Sequence, residues 1–279
     1  MTMADGAATS FETAAQAAEL AEKPPRRVWP GVRRFGAHAL PFALASIVYP
    51  VLGLLMPYRA QVHTGDLYDL EARLFSVATP NGPRVLSELV ASRPHPVLDV
   101  ITGVTYLLFL VVTFGLAVPL YLRSRPKMLE LSLGFLLVNA IGWSLWLVYP
   151  AAPPWYIDVY GKGPAVLSTA SNAAGLLRLD ALLGIPLTET IYSKSTNVFG
   201  AMPSLHVAYA TLVACVAYPL RGAYRAGTLA FACSMAFSAV YLRHHYVLDV
   251  IAGVALAVAV ALAVRPLAAT LSSRIGGTP

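Results

Sequence analysis

Apolar residues fall in long runs separated by short polar clusters. Six runs approach the ~20 residues that a helix needs to cross a bilayer core. They lie at Ala37 to Pro57, Leu98 to Leu122, Met128 to Tyr149, Pro203 to Leu220, Ala226 to Leu242 and Tyr246 to Val264. Pro203 opens the fourth run, where its fixed φ suits a first helical turn. The pattern predicts three regions. Residues 1–36 form a polar, mobile cytoplasmic head without the basic start and early apolar stretch of a secretory signal. Residues 37–269 form a six-helix membrane domain, and residues 270–279 a cytoplasmic tail. Within the domain, the stretches 58–97 and 150–201 exceed the ~15 residues beyond which a loop is usually functional or disordered. In the first, Asp66 to Val77 sets Leu67, Leu70, Leu74 and Phe75 at helical spacing. That spacing predicts an amphipathic helix lying on the outer surface, with a lid docked over a site as the alternative.

Composition agrees with a lipid solvent. The chain is 57% hydrophobic and 12% charged, against about 25% charged in soluble domains. Its net charge of +6 does not imply nucleic acid, because the basic residues sit in clusters between apolar runs rather than on one aromatic-studded face. Twelve of the 20 Lys and Arg residues cluster in the head, around Arg123 to Lys127, at Arg221 and Arg225, and at Arg265 and Arg274. The positive-inside rule then puts both termini in the cytoplasm and the two long loops outside an inner (plasma) membrane. Cys215 and Cys233 lie inside apolar runs and read as free packing residues.

Two stretches carry chemistry: NVFGAMPSLHVAYA from Asn197 and YLRHHYVLDVIAG from Tyr241. By this topology His206 stands at the outer end of the fourth helix, and His245 and Asp249 at the outer start of the sixth. Ionisable residues within membrane helices are costly and are functional candidates by default. His245 and Asp249 are four apart and share a helix face, so the carboxylate can orient the ring and leave its other nitrogen free to attack phosphorus. His206 then serves as the general acid. The helix start at Pro203 and Ser204 exposes unpaired backbone amides as an anion cradle. A lone membrane histidine is usually a hydrogen-bonded packing residue; three such groups at one depth point to catalysis. Two His and one Asp could also ligate zinc, but no fourth ligand is evident, so neither metal nor cofactor is expected. His244 is expected to shape the turn, while His38, His63 and His95 have no evident partners.

With these residues the chain resembles the type 2 phosphatidic acid phosphatase superfamily, and within it the fungal inositol phosphorylceramide synthases and their bacterial relatives. Pro203, Ser204, Leu205 and His206 match the second motif, Pro-Ser-Gly-His, with leucine replacing glycine as in the synthase branch. His245 and Asp249 match the end of the third motif, and Tyr149 to Tyr156, YPAAPPWY, is similar to a synthase-branch signature. Two features depart from the superfamily. The Lys-x6-Arg-Pro motif is absent, since Arg125-Pro126 lacks the lysine, and Ser238-Ala239 replaces a Ser-Arg pair.

The resemblance implies an all-α polytopic membrane protein with a haloperoxidase-like helical core. It further implies a membrane phosphotransferase that moves a phosphoryl-headgroup, inositol phosphate in the synthase branch, from a phospholipid to a lipid hydroxyl through a phosphohistidine. A phospholipid donor, a lipid acceptor and the membrane are the expected partners. The phosphate would be held by Ser204, Arg178, Lys194 and Arg243. Two plainer roles stand beside these: Arg178 paired with Asp180, and Arg243 as an interfacial anchor. Tyr149, Pro153, Pro154, Trp155 and Tyr156 would border lipid access, or simply end a span and anchor it. A lipid phosphate phosphatase, with water as acceptor, and a non-catalytic lipid-binding or transport protein remain the alternatives.

Overall fold

In the computed structural model, residues 28–195 and 197–276 are described; the expectation placed on residues 1–27 of the head lies outside them. The first predicted run is helix α1, Val28–Leu55, followed by a 3-10 turn at Met56–Tyr58. The long loop after it holds α2 (Asp66–Leu74), a two-stranded hairpin of β1 (Ser76–Val77) and β2 (Arg84–Val85), and α3 (Leu86–Ala91). The second run is broken into α4 (Pro96–Leu107), α5 (Phe109–Gly115) and α6 (Ala117–Arg123), with a 48° bend after α4. The third is α7, Arg125–Val148, with proline in its first turn and a stop at Tyr149-Pro150, where the chain cannot continue a helix. The second long loop folds into α8 (Pro154–Tyr160), a 3-10 turn at Ala174–Leu176, α9 (Leu177–Leu183) and α10 (Leu187–Tyr192). The last three runs are α11 (Leu205–Ala217), α12 (Ala223–Tyr241) and α13 (Val247–Gly276).

From His38 onward the bundle centres on α11, which packs against α7, α12 and α13, while α13 also lies along α7. The end of the bundle opposite the histidines is tied by buried Glu130, held by Lys127 at 2.7 Å and Arg265 at 3.3 Å. His38, which had no evident partner, meets Ser272 at 3.1 Å, and its carbonyl accepts from the Ser132 hydroxyl.

By length and apolarity, α1, α7 and α13 can each cross a membrane, and α4 to α6 do so if taken as one bent span. The fourth predicted run gives a helix of only 13 residues, about 20 Å long, against a ~30 Å hydrocarbon core. Its start is delayed because Ser204 sits outside the helix as the N-cap, its hydroxyl accepting from the Val207 amide. At the other end of the chain, the sixth run and the predicted tail form a single helix that continues to Gly276.

The amphipathic helix is docked, and on a different face from the one the leucine spacing selected. Leu70 and Leu74 are 45% and 59% exposed, whereas Leu67 and Glu71 are buried. Glu71 explains the choice of face. Its carboxylate accepts the Val247 amide at 3.0 Å and the Leu248 amide at 3.1 Å, the first amides of α13. These amides have no partner within their own helix, and a carboxylate there also meets the positive end of the helix dipole. A pattern that scores only apolar positions assigns Glu71 to solvent; the helix start claims it.

Replacing Glu71 with alanine leaves two buried amides unpaired and should destabilise the protein by about 1–3 kcal/mol, whereas Glu71→Gln, which keeps an acceptor oxygen, should recover part of that loss. Thermal unfolding in detergent measures both; an unchanged midpoint for the alanine variant would remove Glu71 as the cap of α13.

Candidate active site

His245 follows α12 in a tight turn, its amide and that of His244 both donating to the Ala239 carbonyl. The turn places Arg243 in the left-handed region, at φ 63°, a strained conformation for a side chain of that size. The His245 ring is fixed through Nδ1, which donates to the Ala201 carbonyl at 2.9 Å. The Asp249 carboxylate stands farther away, at 3.5 Å from Nδ1, and its closer partner is the Tyr246 amide at 2.8 Å. Sequence spacing had assigned the orienting role to the carboxylate alone; in space a main-chain carbonyl shares it. Both partners lie on Nδ1, so Nε2 carries the free lone pair.

The Ala201 carbonyl is itself held. The Ala201 amide donates to Ala151, the Ala151 amide to Phe199, and the Ala152 amide to His63. The Ala-Ala of YPAAPPWY is therefore the backbone clip that fixes the acceptor for the His245 ring.

His206, at the second position of α11, faces His245 across 6.0 Å between ring centroids. Its Nδ1 meets the Tyr106 hydroxyl at 3.1 Å, and Tyr106 stacks on it with centroids 4.2 Å apart. The two helix starts are locked together next to these rings. The Ser204 amide donates to the Asp249 carbonyl, and a Cβ on Gly253 would lie 2.5 Å from the Ser204 carbonyl oxygen. Small residues in α13 thus serve contact with α11 of the same chain. Two helix-start amides expected to face an anion are already used, Ser204 by Asp249 and Val207 by the Ser204 hydroxyl.

A cavity of about 120 Å³ opens onto His206, His244 and His245, walled by Tyr106, Trp146, Pro153, Trp155, Tyr192 and Asn197 among others. A second cavity of about 390 Å³ adjoins it, sharing Tyr49, Trp146, Leu205 and His206, and is lined by Phe109, Phe114, Phe135 and Trp143.

Of the residues expected at lipid access, Pro153 and Trp155 line the smaller cavity and Pro154 and Tyr156 are buried beside them. Tyr149 stacks on His63 instead. His63 also binds Asp66, and His95 caps α4 through its ring, so neither stays without a partner.

The expected phosphate cations are not on the cavity wall. Arg178 pairs with Asp99 at 2.7 Å rather than with Asp180. Burial pushes the Asp180 carboxyl up, but the Thr188 and Glu189 amides outweigh it and hold it below its usual range. Arg243 is clamped by Asp158 through two bonds, and Lys194 is exposed. Each arginine keeps one buried Nη without a hydrogen-bond partner among the described residues. Sequence reasoning missed Tyr106, Asp99, Asp158 and Trp146. Asp99 alone left a signal, as an acidic residue inside a predicted span; the others read as ordinary aromatic or loop residues.

A family model described as the PAP2 superfamily matches residues 66–263, which include His206, His245 and Asp249. The chain belongs to the PAP2 superfamily. Among its PAP2 relatives, the phosphoinositol dihydroceramide synthase of Bacteroides thetaiotaomicron is 37% identical, over 81% of this chain and 75% of that protein. The inositol phosphorylceramide synthase catalytic subunit of Schizosaccharomyces pombe is 31% identical over 62% of this chain, and that of Saccharomyces cerevisiae 35% identical over 60%. The match spans only 42% of each of these two fungal proteins. Among solved structures, that of Aquifex aeolicus LpxE superposes with a TM-score of 0.47 at 19% identity, over 64% of this chain and 91% of that one.

Gly253→Ala should force the starts of α11 and α13 apart and cost about 1–3 kcal/mol as overpacking. Gly227→Ala, in α12 with nothing within 4 Å, should be neutral or stabilising. Unfolding midpoints of the two variants check the contact, and equal midpoints would dismiss it.

Proposed function

We propose that this PAP2 enzyme is a phosphotransferase that moves inositol phosphate from a phospholipid to the hydroxyl of a lipid acceptor. The observation that carries the reading is the pair of rings at 6.0 Å, with His245 held by Nδ1 and its Nε2 free, in a chain 37% identical to a phosphoinositol dihydroceramide synthase.

In this reading His245 Nε2 attacks phosphorus, the bond from phosphorus to the diacylglycerol oxygen breaks, and His206 gives its proton to that oxygen. The inositol phosphate is then carried on His245. The acceptor hydroxyl passes its proton back to His206, its oxygen bonds to phosphorus, and the N–P bond breaks. Asp249 supports the imidazolium character that His245 gains. The Trp146 indole N–H, buried without a protein partner on the cavity wall, donates to a phosphate oxygen. Arg178, Arg243 and Lys194, with Ser204 at the start of α11, supply the field around it. The larger, apolar cavity takes a lipid chain, and Pro153 and Trp155 border the passage between chain and headgroup. Water in place of the acceptor would make the same phosphoenzyme a phosphatase.

Phosphorus NMR of purified protein with phosphatidylinositol and a panel of lipid alcohols tests the chemistry. A new phosphodiester lipid is expected, and His245→Ala should reduce its formation by at least ~10⁴-fold while leaving the fold intact. Release of inositol phosphate alone would turn the reading into a hydrolase, and turnover by the variant would remove the phosphohistidine.

The proposal includes the membrane arrangement: a cytoplasmic head over residues 1–36, six spans within residues 37–269, both termini inside, and the site on the extracytoplasmic face of the plasma membrane. The basic clusters at helix ends support it. Exposed Lys194 and Arg221 lie on opposite sides in this arrangement. With Cys215 and Cys233 replaced by alanine, Lys194→Cys should react with an impermeant maleimide in intact cells and Arg221→Cys only after permeabilisation; the reverse pattern would invert the topology.

A further inference from the structure

His244 was expected only to shape the turn, yet it lines the cavity beside His206 and His245. It is 5% exposed and sandwiched between two tyrosines, with centroids 5.0 Å from Tyr106 and 4.9 Å from Tyr192. Its Nε2 is buried and has no hydrogen-bond partner among the described residues. Burial, aided by the neighbouring His245, holds the ring down to about 3, against an opposing effect of the Ala173 backbone. The ring is therefore neutral at physiological pH. A neutral imidazole has one N–H and one lone pair.

Two side chains of the cavity wall thus keep a buried polar atom that nothing among the described residues pairs. The Trp146 indole is a donor, which a phosphate oxygen satisfies. The neutral His244 ring has both an N–H and a lone pair, which hydroxyls match because they accept and donate, whereas an ionised phosphodiester only accepts. From this pairing, and resting on the function proposed above, we propose that the His244 ring hydrogen-bonds a hydroxyl of the transferred headgroup. His244 is then a specificity-determining residue for hydroxylated phosphate esters. The hydroxyl it binds is distinct from the acceptor hydroxyl, whose proton goes to His206.

The test uses phosphatidylinositol and its monodeoxy-inositol analogues, each lacking one ring hydroxyl, with the enzyme and His244→Phe, which keeps the aromatic stack but not the ring nitrogens. One analogue should be transferred by the wild type about 10- to 100-fold more slowly than phosphatidylinositol. The variant should lose a similar factor on phosphatidylinositol and treat that analogue and the parent lipid alike. Equal wild-type rates on every analogue would overturn the proposal even if the variant fails to fold. So would a variant that loses the same factor on all substrates, or none on phosphatidylinositol. A wild type that transfers nothing from phosphatidylinositol would instead refute the function on which the proposal rests.

Discussion

Between Ser204 and the first turns of α13, two helices run so close that a single added carbon on Gly253 would press to 2.5 Å from a carbonyl oxygen. The same approach lets the Ser204 amide bond the Asp249 carbonyl. Every catalytic candidate is measured from this contact: His206 two residues after Ser204, and His245 four residues before Asp249. Interiors are packed at crystal density and transmit displacement rather than absorb it. The separation of the two rings is therefore set by backbone against backbone, which a change of rotamer cannot loosen.

A second constraint is the cost of burying charge. An unpaired ion in a medium of low dielectric is expensive, and the buried carboxylates described here find donors. Glu71 takes the amides of α13, Asp99 takes Arg178 and the Tyr241 hydroxyl, and Glu130 takes Lys127 and Arg265. Each of these pairings also ties distant stretches together. Glu71 fastens the first long loop to the helix that carries Asp249, and Asp99 fastens α4 to the second long loop. The long loops are thereby drawn into the walls of the site. Trp146 and His244, on the cavity wall, keep buried polar atoms without partners among the described residues, and buried polar groups left unmatched in this way are the natural contacts for a ligand.

Much of the fold was legible because lipid imposes a one-dimensional rule: apolar length predicts helices, and all six runs are helical. The rule reads poorly where a helix is short or its start is capped, as at Ser204, and it does not foresee the bend after Leu107. The leucine spacing of Asp66 to Val77 predicted a helix correctly and its buried face incorrectly, because a partner 176 residues away along the chain decided which side was covered. The cations at Arg178 and Arg243 were visible as charges, but their carboxylate partners, Asp99 and Asp158, lie 79 and 85 residues away in sequence.

The sequence by itself determined the membrane character, the superfamily resemblance and the His206, His245 and Asp249 set, since apolar run length and a local i, i+4 spacing are properties of neighbouring residues. Tertiary structure alone decided that the Ala201 carbonyl fixes the His245 ring, that Tyr106 meets His206, that Glu71 caps α13 and that His244 opens onto the cavity. Those facts depend on contacts between segments far apart in the chain, where side-chain volume and hydrogen-bond demand act in three dimensions and leave no periodic trace along one.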